Sequence, residues 1–344
     1  MLLRWLQVLM FSILIFCGCS RTAHTNDLAP GNDQLAEDFL KLHFGLFLHF
    51  NIATYIDRGW ANGYENPEIF APKKLDCSQW AKAAQAAGMK YAVLTVKHTG
   101  GWCLWDSGHT THDITQFKNY KNGKGDIVRD FVNAFRAEDI KVGFYYCFPG
   151  NYSYPKKPHN QLVPEGKPDL HGMPAEAAGD YIGFIIKQFT ELLTNYGQID
   201  LLWIDQCRNI CSSKDWQRFR AHVKSLQPQC LVIANNDRTG KFSDVYSCEL
   251  PWDPNGMPPQ GNTIPAEICD KISGYWFWNT KDKPENIKSA QKVVDTIKLC
   301  NQRHANYLLN VTPNRDGQIS DVYLKRLRQI GILLGAQQSK TNLN

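Results

Sequence analysis

Apolar residues fall along this chain in short blocks, separated by longer segments whose apolar positions recur at helical spacing. The central block is Gly197-Gln198-Ile199-Asp200-Leu201-Leu202-Trp203-Ile204-Asp205-Gln206. Five of the six residues from 199 to 204 are Ile, Leu or Trp, which suits a strand buried on both faces of a parallel sheet. Blocks at 44–50, 91–96, 141–147, 231–235 and 306–311 predict further strands, and 244–248 and 273–278 predict shorter ones. Between them, 78–87 reads as a helix with Ser78 as its cap and Gly88 as its stop. Residues 126–137, 180–195, 215–226, 285–300 and 321–334 carry the other helical patterns. Strand and helix alternate, which predicts an α/β fold with a parallel sheet and crossover helices. About eight strands in one such series favour a closed (β/α)8 TIM-like barrel over an open sheet. Two polar, Pro- and Gly-rich stretches fall where barrel loops belong. One is 149–174, with Tyr152, Tyr154, His159 and His171, and the other is 250–265, with Trp252.

The first segment stands apart from this pattern. Arg4 precedes an apolar run from 6 to 17, too short for an ordinary membrane span and suited to a signal peptide. Phe16-Cys17-Gly18-Cys19 resembles a bacterial lipobox with Cys19 as the lipidated residue. The chain therefore divides into a signal peptide and lipobox at 1–19, a polar tether at 20–40 and a catalytic barrel at 41–340. The expected location is across the inner membrane, in the periplasm or at the outer membrane, with possible membrane anchoring through a lipid on Cys19. The 344 residues are 43% hydrophobic, 21% charged and 12% aromatic, a globular composition large enough for one sizeable core. The net charge of +5 comes without a basic tract, so no nucleic-acid partner is expected. Nine further cysteines are widely spread and lack zinc-site spacing, so they read as structural thiols and no metal is expected.

The strand ends carry the chemistry. His49 ends the first strand and Lys97-His98-Thr99-Gly100-Gly101-Trp102 ends the second. Tyr145 and Tyr146 lie near the end of the third, and Trp203 and Asp205 end the fourth. Asn235, Asn236 and Arg238 follow the fifth, and Glu249 ends the sixth. A barrel presents its working side chains at this end. His, Trp, Arg and carboxylates gathered there describe a polar cavity with aromatic walls, as sugar binding requires.

Several ordered motifs resemble glycoside hydrolase family 29. They are Phe44-Gly45-Leu46-Phe47-Leu48-His49-Phe50, the segment 73–91, Leu94-Thr95-Val96-Lys97-His98, Lys124-Gly125-Asp126, Leu202-Trp203-Ile204-Asp205 and Tyr307-Leu308-Leu309-Asn310-Val311. That family comprises retaining α-L-fucosidases on a (β/α)8-like barrel. The resemblance implies that Asp205 is the nucleophile and that Trp203, His49, His98, Tyr145 with its neighbour Tyr146, Arg238 and Trp60 bind the sugar. It offers two glutamates for the acid/base, Glu249 and Glu267, of which Glu249 is favoured. It implies a fucosylated glycan as substrate and no cofactor. The chain departs from the family at Thr99, where a second His is usual, at Gly59 in place of Glu, and at Gln206 in place of Gly. The C-terminal β-sandwich common in the family is not expected here, because the chain ends soon after the last barrel helix. A retaining enzyme acting on a different fucose-like or galactose-like sugar, or a surface carbohydrate-binding lipoprotein without catalysis, are the alternative readings.

Overall fold

The computed structural model describes residues 32–148 and 180–341. Its apolar blocks form β1 (Phe44–Leu48), β2 (Tyr91–Lys97), β3 (Lys141–Cys147), β4 (Leu201–Asp205), β5 (Leu231–Ala234), β6 (Tyr246–Glu249), β7 (Ala266–Lys271) and β8 (Ala305–Asn310). They make one eight-stranded sheet in the order β5-β4-β3-β2-β1-β8-β7-β6, and every ladder is parallel. The sheet curls into a nearly closed barrel. Its seam lies between β5 and β6, which share no ladder. Near the strand starts the backbone crosses that seam through Asp244 N–H to Val232 O at 2.8 Å, and further on through Ser247 N–H to Asp237 O at 2.9 Å.

The helices are α1 (Asn32–Leu40), α2 (Cys77–Ala87), α3 (Ile127–Ala137), α4 (Tyr181–Asn195), α5 (Cys207–Ile210), α6 (Ser213–Leu226), α7 (Ala290–Gln302) and α8 (Asp321–Thr341). Among the described residues, no helix separates β5 from β6 or β6 from β7. The outer core fills the layer between strands and helices, with Leu46, Leu94, Phe144, Leu202 and Leu309 facing Trp80, Phe131, Phe189 and Phe219. A second cluster fills the barrel itself and includes Phe47, Tyr91, Tyr145, Trp203, Ile233 and Leu308. Alternate residues of each strand serve the two layers, as the pleat demands.

Four expectations need correction. Residues 32–40 are not tether but α1, whose Ala36 and Phe39 plug the lower end of the barrel. Phe39 meets the Tyr91 ring edge-on at 5.2 Å, and its carbonyl accepts from Asn306 Nδ2. Helix α2 begins one residue before Ser78. Its cap is Asp76, whose carboxylate accepts from the Ser78 and Gln79 amides. Helix α7 starts at Ala290 behind a Ser289 cap, because residues 284–286 form a separate turn. Lastly, residues 273–278 are not a strand; the strand is Ala266–Lys271. Its inward side carries Glu267, Cys269 and Lys271, so it shows no apolar run. Tyr275, Trp276 and Phe277 line the mouth of the barrel instead.

Candidate active site

A cavity of about 490 Å³ opens at the C-terminal ends of the strands. Asp205 reaches it as the last residue of β4, on the same face as Leu201 and Trp203. Three donors hold its carboxylate. Tyr145 Oη donates to Oδ2 at 2.8 Å, and Oδ1 accepts from the Gln206 amide at 2.9 Å and from Asn235 Nδ2 at 3.0 Å. Enclosure raises the Asp205 pKa, and these donors oppose the rise.

Glu249 ends β6 across the seam. Its Oε2 accepts from Asn235 Nδ2 and from Asn236 Nδ2, each at 3.2 Å. The same amide nitrogen therefore bonds both carboxylates. That bounds the separation of the two bonded oxygens by the sum of 3.0 and 3.2 Å, a span that admits the ~5–5.5 Å spacing of a retaining glycosidase pair. Burial raises the Glu249 pKa, and the Asp205 charge adds to the rise.

The walls are aromatic. Trp203 stacks on Tyr145 with ring centroids 5.4 Å apart, and Tyr145 stacks on His98 at 5.2 Å. His49 lies 5.1 Å from Trp276 and 5.2 Å from Phe277. Its Nδ1 faces Asn310 Oδ1 at 2.8 Å, while Asn310 Nδ2 donates to the Trp276 carbonyl. Asn310 is thereby oriented with its oxygen toward the ring, so His49 Nδ1 donates and Nε2 is left as an acceptor. Burial pushes the His49 pKa down to about 3, so the ring is neutral near pH 7. Burial also lowers the His98 pKa, and the neighbouring His49 and Lys97 lower it further. Trp60 lines the mouth at 52% exposure, the position of a rim residue.

Three of the candidate residues do not line this cavity. Tyr146 points out of the barrel, because it neighbours the inward Tyr145 on one strand; its hydroxyl bonds Gln188 of α4 and Lys97 Nζ lies over its ring at 4.1 Å. Arg238 turns away behind the seam, beside the Cys248 thiol. Glu267 faces inward, two residues before the pocket-lining Cys269 and about 6–7 Å deeper along the strand. Its two oxygens accept from Tyr91 Oη at 2.7 Å and from Trp203 Nε1 at 2.8 Å. Burial raises its pKa to about 7.

Sequence reading missed Lys271, Trp276 and Phe277, all of which line the cavity. Placing β7 seven residues earlier would have shown Lys271 as a strand-end residue. Asn235 was visible at the end of its strand, but only the fold shows both its partners. The long segment 149–174 and Cys19 lie outside the described residues. Among the described residues no cluster of three or more His, Cys, Asp or Glu could hold a metal. No described helix is long and apolar enough to cross a membrane.

Fold and pocket together define a (β/α)8 barrel with an acidic, aromatic-walled cavity at its strand ends, the kind of frame on which sugar-processing sites are built. The Alpha-L-fucosidase family model matches residues 20–338, and the chain belongs to that family. It is 29% identical over 311 residues to alpha-L-fucosidase 1 of Arabidopsis thaliana, a match covering 83% of this chain and 56% of the plant protein. It is 27% identical to human plasma alpha-L-fucosidase, over 87% of this chain and 67% of that one. Alpha-L-fucosidase isoenzyme 1 from Paenibacillus thiaminolyticus superposes with a TM-score of 0.72 at 28% identity, covering 90% of this chain and 77% of its own. The chain thus spans little more than half the length of the plant relative.

Proposed function

We propose that this protein is a retaining exo-α-L-fucosidase that releases terminal α-L-fucose from glycans or glycoconjugates. The observation that carries this reading is the pair Asp205 and Glu249, bonded to one amide at the floor of an aromatic-walled pocket. Asp205, held by three donors, is the nucleophile. It attacks the anomeric carbon as the glycosidic bond breaks, and Glu249 gives its proton to the departing oxygen. Water then adds to the anomeric carbon, its proton passes to Glu249, and Asp205 leaves. The raised pKa of Glu249 suits an acid that must hold its proton until the bond breaks. The neutral His49, with Nε2 as acceptor, is placed to receive a sugar hydroxyl. Trp203, Tyr145 and His98 supply flat faces for the apolar side of the ring. Membership of the family and the sizeable cavity support the substrate assignment.

The test is hydrolysis of an aryl α-L-fucoside followed by NMR of the first-formed sugar. Release of α-fucose ahead of mutarotation is expected; β-fucose, or no turnover on any fucoside, defeats the proposal. Asp205→Asn should keep the fold and lower turnover by roughly a thousandfold or more.

The N-terminal motif supports a further proposal, that the mature chain is exported and carried on an envelope membrane by a lipid on Cys19.

A further inference from the structure

Asn235 follows the last residue of β5. Its backbone N–H donates to Ile204 O at 2.9 Å, which carries the pairing with β4 one step beyond the strand. The alternation of β5 then turns its side chain inward, at the seam where β5 and β6 share no ladder. There Nδ2 donates to Asp205 Oδ1 at 3.0 Å and to Glu249 Oε2 at 3.2 Å. The other end of the amide, Oδ1, is buried without a hydrogen-bond partner among the described residues. An unpaired buried acceptor is a cost that folded proteins seldom keep. Turning the amide over would set that oxygen against two carboxylates, which is worse. The orientation is thus dictated by the two acids, and the unpaired oxygen is its consequence.

We propose that Asn235 is a positioning residue for both acids, its amide hydrogens serving whichever of Asp205 and Glu249 carries the negative charge. This rests on the retaining reading above. In the first step a bond forms between Asp205 and the anomeric carbon, the glycosidic C–O bond breaks, and its electron pair goes to the leaving oxygen. That oxygen takes the proton from Glu249, so the charge passes from Asp205 to Glu249. In the second step a water proton goes to Glu249, the water oxygen bonds the anomeric carbon, and the bond to Asp205 breaks. The charge returns to Asp205. A donor already in contact with both ends of this exchange needs no reorganisation as it proceeds.

The other titratable or charged groups around the cavity are His49 just past β1, Arg58, His98, Tyr145 of β3, Cys269 and Lys271 of β7, and Tyr275. Tyr145 donates to Asp205, and the Lys271 charge favours the Glu249 anion. Asn236 donates to Glu249. Asn235 donates to the two acids together.

The experiment is the pH profile of kcat/KM on an aryl α-L-fucoside for the wild type and Asn235→Leu, which keeps the branching at Cγ and removes the amide. An N–H donor favours a carboxylate, so its loss raises the pKa of each acid. The acidic limb reports ionisation of Asp205 and the basic limb reports loss of the Glu249 proton. Both limbs should move to higher pH, with a loss of rate on the order of tenfold to a hundredfold. A lower rate with both limbs unmoved, or movement of one limb alone, overturns the proposal. If Asn235→Leu does not fold, Asn235→Ser takes its place, since a hydroxyl is too short to span the two acids. Carbon-13 NMR titration of the Asp and Glu carboxyls in the same proteins reads the same two shifts without turnover. A wild type inactive on fucosides, with the NMR shifts present, rejects the fucosidase reading and retains the role of Asn235. Unchanged carboxyl titrations in the variant reject the role itself.

Discussion

Two glutamates of one chain show how environment divides a single chemistry. Glu249 lies in the cavity, held by two amides and raised in pKa by burial and by the Asp205 charge. Glu267 lies deeper, with both oxygens already occupied by Tyr91 and Trp203. An acid/base must reach the leaving oxygen, and only Glu249 borders the space where that atom would sit. Glu249→Ala is therefore expected to lose most on fucosides with a sugar leaving group and least on activated aryl fucosides. Its glycosyl-enzyme should accumulate on the latter, and azide should resolve it to a fucosyl azide. Glu267→Ala should lose similarly on both substrate types and show no azide product. Chromatography of the azide reactions decides the matter, and a fucosyl azide from Glu267→Ala alone transfers the role to Glu267.

At the scale of elements, Glu267 ties three strands together across the barrel. A Cβ on Gly45 of β1 would sit 2.4 Å from the Tyr91 ring, so the glycine is what lets that ring lie across the interior. Tyr91 of β2 then bonds Glu267 of β7, which bonds the indole of Trp203 of β4. The carboxyl thus sets the Trp203 ring that walls the pocket. Among the described residues no ion pair neutralises Glu267, and burial lifts its pKa from 4.5 to about 7. A raised carboxyl pKa means that the folded state holds the proton more tightly than the unfolded chain. The Glu267 contribution to stability should therefore fall as pH rises from about 4.5 to about 7, by roughly 3 kcal/mol in all. Glu267→Gln keeps an acceptor for Trp203 and an amide to pair with Tyr91, but it does not titrate. Urea unfolding at both ends of that window should show the wild type losing stability relative to the variant, since the opposing contributions of the buried His49 and His98 are common to both proteins. Equal pH dependence in the two proteins would show that Glu267 is not the group responsible.

At the scale of the molecule, the barrel is left open where its chemistry is proposed. β5 and β6 share no ladder, and at their C-terminal ends the side-chain amides of Asn235 and Asn236, just past β5, reach across to Glu249. Helix α1 packs against the opposite end, and Trp60 and Tyr275 are exposed on the rim of the cavity. The proposed anchor lies at the other extreme of the chain. Intact mass of protein purified from its native envelope should give a mature chain that starts at an acylated Cys19. A chain with an unmodified N-terminus rejects the anchor and leaves the barrel chemistry as it stands.

Periodicity alone determined most of the architecture. Strands buried on both faces, such as 91–96 and 199–204, are nearly uninterrupted apolar runs, and their order with amphipathic helices such as α3 and α6 leaves few folds to choose from. The strand-end positions of His49, His98, Tyr145, Trp203 and Asp205 were legible for the same reason, since each closes a visible run. β7 was not legible, because its inward face carries Glu267, Cys269 and Lys271 and breaks the apolar pattern. The opposite facing of Tyr145 and Tyr146 needed the register of β3, as one residue along a strand reverses the side chain. What tertiary structure decided was depth and company. Glu249 and Glu267 are alike along the chain, and only the closing of the barrel leaves one in the cavity and buries the other under Trp203. Asn235 meets Asp205 thirty positions earlier and Glu249 fourteen later, a meeting that no local pattern encodes because it depends on three strand ends converging at one seam.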